Sequence, residues 1–112
     1  MKLYTIVGYV NEVRHDIYKT YTNLELAIKC TKIYESNNKF FNRIEEFKII
    51  ESELEGEYET VYRVLGYDGE SKCFLGICES LDSAKEFIIE KHEELQQFGE
   101  DYPHYDVEVI EL

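Results

Sequence analysis

The chain has 112 residues, 44% of them hydrophobic and 32% charged, a balance that suits one compact domain and excludes a disordered polymer. Its 24 Asp and Glu against 12 Lys and Arg give a net charge of −12, which repels phosphates and argues against direct binding of DNA or RNA. The opening run MKLYTIVGYV is too short to be a secretory or membrane-spanning segment, so the expected location is cytoplasmic.

A first strand is predicted over residues 3–10, with Gly8 inside it. A hairpin turn holding His15 and Asp16 leads to a second strand over 17–21. A helix follows, capped by Asn23 or by Thr22, whose spacing to Glu25 suits a capping box. Its apolar stripe is Leu24, Ala27, Ile28, Cys30, Thr31 and Tyr34, and Leu26 and Ile33 widen it on one side. A stripe that wide predicts a second cover, either the other half of the chain or a second subunit, so a homodimer through this helix is an open possibility. A strand over 47–53 closes the first unit.

The second unit repeats the pattern. Strands over 60–67 and 72–78 flank a tight turn at Asp68-Gly69. Ser80 caps a helix with Asp82 in its first turn, and Leu81, Ala84, Phe87, Ile88, Leu95 and Phe98 form its stripe. Lys91 falls inside that stripe and must extend outward or reach a carboxylate. A strand over 105–111 ends the chain's pattern.

Slid along itself by 58 residues, the sequence sets Tyr4-Thr-Ile-Val-Gly8-Tyr9 over Tyr62-Arg-Val-Leu-Gly66-Tyr67. The same offset sets 47–54 over 105–112, and an offset of 57 sets 23–27 over 80–84. The reading is an internal duplication: a ββαβ repeat over residues 1–55 and a second over 56–112, in one compact domain. The expected fold class is α+β, with antiparallel sheet or sheets and two helices packed on one side. Gly8 and Gly66 are expected to make room for the helix crossing above.

Charge divides unevenly between the units. Residues 1–55 hold 8 Lys and Arg against 9 Asp and Glu, a net of −1, whereas residues 56–112 hold 4 against 15, a net of −11. The candidate partner-binding residues are therefore Glu86, Glu90, Glu93, Glu94, Glu100 and Asp101 for charge, with Ile89 and Tyr102 as apolar anchors. Such a face can imitate a nucleic-acid backbone and occupy the basic surface of a nucleic-acid-binding protein. It can equally be a solvated helix face that keeps the protein soluble.

Catalytic and metal signatures are missing from the pattern. The three cysteines, Cys30, Cys73 and Cys78, have no ligand spacing and read as buried reduced thiols, with Cys73 and Cys78 expected on opposite faces of one strand. No histidine stands four residues from another histidine or a cysteine, and a site from Asp101, His104 and Asp106 has little to recommend it. No glycine-rich loop precedes a helix and no serine sits in a nucleophile elbow. The expectation is a non-enzymatic protein without cofactor or metal.

The segment Phe74-Leu-Gly-Ile-Cys-Glu-Ser80-Leu-Asp-Ser-Ala84, the helix, and Tyr105-Asp-Val-Glu-Val-Ile-Glu-Leu112 together resemble short uncharacterised ββαβ domains of bacteria and phages. The resemblance covers most of the second repeat and the first more loosely, where no glycine matches Gly76. It implies a phage or mobile-element protein and carries no functional residues with it. The function expected is an acidic inhibitor of a host protein. Two alternatives stand beside it: a small-molecule site at the junction of the repeats, and an assembly protein acting through self-association.

Overall fold

The computed structural model describes residues 1–10, 15–41, 44–69 and 71–112, with the backbone alone for residues 39–41 and 71. The turn of the first hairpin lies outside the described residues. The elements in order are β1 (Lys2–Tyr9), β2 (His15–Tyr21), α1 (Leu24–Phe41), β3 (Glu46–Glu53), β4 (Thr60–Asp68), β5 (Ser71–Cys78), α2 (Leu81–Gln96) and β6 (His104–Glu111). They form an α+β fold with two three-stranded antiparallel sheets, ordered β2-β1-β3 and β5-β4-β6.

The two sheets match pair for pair. Lys2 pairs with Glu53 and Tyr9 with Glu46; 58 residues on, Thr60 pairs with Glu111 and Tyr67 with His104. Tyr4 pairs with Tyr21 and Val7 with Ile17; their counterparts are Tyr62 with Cys78 and Leu65 with Phe74. In both hairpins the second strand carries one extra residue at the corresponding place, a bulge that shifts the register.

Central strands β1 and β4 are buried on both faces, which explains their near-continuous apolar runs. One face of each carries its own helix: α1 contacts β1, β2 and β3, and α2 contacts β4, β5 and β6. The other faces meet. Leu3 of β1 packs with Val61 of β4 and Ile77 of β5, and Phe74, Leu54 and Ile110 close around them. The helices therefore lie on separate sheets, whereas the sequence led us to expect both on one side. The alternation of apolar residues says that both faces are covered without saying by what.

The contact between sheets has a polar centre. Thr5 and Thr20 share a hydroxyl hydrogen bond of 2.8 Å, and Arg63, only 6% exposed, crosses from β4 to reach them. Its Nη1 donates to the Tyr18 carbonyl and, at 3.3 Å, to Thr20 Oγ1. Its Nη2 pairs with Glu108 Oε1 at 3.0 Å, and its Nε has no partner. Thr5 and Arg63 hold corresponding positions, so the two halves differ in chemistry where they meet.

Both helices begin with a side-chain cap. Asn23 Oδ1 accepts from the Leu26 amide at 3.1 Å, which selects Asn23 over Thr22, and Ser80 Oγ accepts from the Ser83 amide at 3.1 Å. Helix α2 ends at Gln96: the amides of Phe98, Gly99 and Glu100 return to carbonyls of the last turn, with Gly99 at φ +70°.

Candidate functional site

Helix α2 lies on its sheet through Ala84, which is fully buried, and through Phe87 and Ile88 around Val64 and Cys78. At 100° per residue that orientation turns Glu86, Glu90 and Glu93 away from the sheet. All three are exposed, as are Glu94 and Glu100. Lys91, half-buried as its place in the stripe requires, holds its Nζ 4.0 Å from Glu94. Of the second unit's four cations Arg63 is buried and is matched there by Glu108 of the same unit.

Two apolar side chains stand beside these acids. Ile89 is 57% exposed, in the place expected of an anchor. Phe98 is 74% exposed, although its helical angle puts it in the buried stripe. The helix has ended before Phe98, so the angle no longer applies. Phe98 is the residue the sequence reading missed; the one signal for it was Gly99, a natural helix stop.

Asp101 and Tyr102 are used internally. Asp101 accepts from the Tyr105 hydroxyl at 2.7 Å and the Tyr102 amide at 2.8 Å, and it pairs with His92. The Tyr105 bond does most to hold its carboxyl below the ordinary value. Burial first, then Asp101, pushes the Tyr105 phenol up to about 12. A carboxyl of lowered pKa stabilises the fold in full above the ordinary value, near about 4, and loses that contribution as pH falls through its own value. Asp101→Asn should therefore be less stable than the parent at pH 7, and the gap should close under acid titration below about pH 4. Chemical denaturation at each pH measures it; a pH-independent gap contradicts the assignment.

The Tyr102 ring lies on Gly66: a Cβ built there would stand 2.6 Å from Tyr102 Cγ. Gly8 is covered in the same way by Ile44 and Tyr18 at 3.1 Å. Ile44 and Tyr102 are again 58 apart, so each glycine admits the residue that leads into the closing strand rather than the helix. Gly76 is the glycine that faces a helix: a Cβ built there would stand 3.2 Å from Phe87 Cζ.

The thiols and histidines differ in part from expectation. The bulge in β5 cancels the alternation, so Cys73, opposite Gly66, and Cys78, opposite Tyr62, share the helix-side face. All three cysteines are free and only Cys78 is buried, its thiol pushed up by burial. His15 opens β2, buried edge-on against Tyr9 with Nδ1 unpartnered, and is not an exposed turn residue. His104 opens β6 and is exposed beside Tyr67. Among the described residues no three His, Cys, Asp or Glu side chains are grouped to hold a metal ion, and no helix is long and apolar enough to cross a membrane.

A cavity of about 220 Å³ lies at the junction of the sheets, lined by Val7, Tyr9, His15 and Gly76 among others. That is smaller than ligand pockets generally are, about 300–1,000 Å³, whereas a second cavity between the sheets, beside Thr20, Arg63 and Ile110, reaches about 370 Å³. No family model, no curated protein and no solved structure matches the chain.

Proposed function

We propose that this chain is a non-enzymatic protein-binding module, a tandem ββαβ duplication whose second repeat offers an acidic face to a basic, nucleic-acid-binding surface. The duplication is supported by strand pairs and bulges that correspond at the sequence offset. The single observation that carries the binding reading is the α2 face: Glu86, Glu90 and Glu93 exposed in a row with Ile89 exposed among them, and Phe98 exposed just past the helix end near Glu100 in sequence. Charge alone would give solubility; exposed apolar groups within the acidic surface give an interface its anchors. The resemblance to ββαβ domains of bacteria and phages makes a phage or mobile-element inhibitor, acting in the cytoplasm, the specific form of the proposal.

The test is capture of nucleic-acid-binding proteins on the immobilised chain, with elution by salt and by duplex DNA. Retention at about 50 mM salt should be lost by about 500 mM, because screening shortens the reach of the acidic field. Duplex DNA should displace the same proteins. The triple variant Glu86→Lys, Glu90→Lys, Glu93→Lys should abolish retention while leaving the fold intact. Unchanged retention in that variant sinks the reading.

One observation favours a second reading, self-association through α1. Leu26 and Ile33 remain 46% and 53% exposed, and among the described residues the main contacts of α1 are with its own sheet. Sedimentation should then show a dimer that Leu26→Glu with Ile33→Glu returns to monomer; a parent chain that is monomeric at high concentration excludes it.

A further inference from the structure

The first repeat holds a cavity of about 350 Å³ between α1 and its sheet, within the range of small-molecule pockets. Tyr18 of β2, Tyr34 of α1 and Phe47 of β3 form one wall. Tyr18 and Tyr34 have ring centroids 4.6 Å apart, and Tyr34 and Phe47 lie 12° from parallel. Ile44, Asn37 and Asp16 complete the lining used here. Ile44 is held in place: the Asn38 side chain accepts from its amide at 2.9 Å and donates to its carbonyl at 2.7 Å.

The second repeat treats the same place differently. Tyr102 stands where Ile44 stands and lays a full aromatic ring over Gly66. The first repeat has the smaller side chain and, beside it, the cavity. An aromatic wall suits a planar ring, and the Asn37 amide offers a donor and an acceptor side by side, the pattern that matches the edge of a nucleobase. Asp16 stands in the described lining beside these groups.

We propose that this cavity is a binding site for a planar heterocycle of the nucleobase or nucleoside class. The site is separate from the acidic face of α2. The probes are adenosine, guanosine, cytidine and uridine, with tetramethylammonium as the contrast, titrated into the full chain by calorimetry and protein-observed NMR. One nucleoside should bind and shift resonances of Tyr18, Tyr34 and Phe47. Ile44→Tyr, which copies the second repeat's side chain into the first, should abolish binding. Asn37→Ala, an exposed substitution that leaves packing intact, should weaken it about tenfold or more. The triple lysine variant of α2 should bind the nucleoside as the parent does, so the two proposals fail separately. The proposal is overturned if no nucleoside binds at millimolar concentration, if tetramethylammonium binds in their place, or if Asn37→Ala binds as tightly as the parent.

Discussion

Arg63→Ala is expected to lower the stability of the chain by about 3–4 kcal/mol, a large share of the roughly 5–15 kcal/mol that holds a domain of this size. The side chain is almost fully buried between the sheets, and its removal leaves a void as well as lost bonds. The Tyr18 carbonyl and the Thr20 hydroxyl lose their donor. Glu108 loses its partner but is half-exposed, so water recovers part of that loss. Arg63→Met keeps the apolar stem and removes a guanidinium whose Nε is unsatisfied, and it should stay within about 1.5 kcal/mol of the parent. Urea denaturation reads both: the alanine variant should unfold at about 2 M lower urea. Equal losses in the two variants would show that the polar contacts, not the packing, dominate; an unchanged midpoint for alanine would remove Arg63 from the account of the sheet contact.

Gly66→Ala is expected to cost about 2–3 kcal/mol through overpacking. Three ring atoms of Tyr102 lie 2.6 to 2.8 Å from the new Cβ, and they belong to the base of the ring, which cannot swing aside as a flexible tip would. Tyr102→Ala in the same chain should recover about 1–2 kcal/mol of that cost, a coupling a double-mutant cycle measures directly. Gly8→Ala meets side-chain atoms of Ile44 and Tyr18 at 3.1 Å and should cost less than about 1 kcal/mol. Equal effects at the two glycines would mean that Tyr102 is not the obstacle.

Much of the fold was legible because strand and helix periods, caps and the Asp68-Gly69 turn are local signals. The correspondence between halves was legible for the same reason, since Gly8 and Gly66 sit at like points of like apolar runs. The layering was not legible. Leu3 and Val61 read as apolar whether a helix or another sheet covers them. The bulge in β5 was hidden as well, since an inserted Leu75 looks like any strand residue until its pairing is known. In the candidate site the exposed acids of α2 were readable from helical spacing. Tyr102 was not, because its role is set by a glycine 36 positions earlier in the chain.

The unlike chemistry at positions 5 and 63 makes the halves a lock and its key. Two second halves set face to face would bring together two guanidinium groups without the Tyr18 carbonyl and Thr20 hydroxyl that accept from Arg63 here, and two first halves would bring threonine hydroxyls together with no cation to bridge them. The middle of the molecule thus suits the pairing of one half with its unlike neighbour.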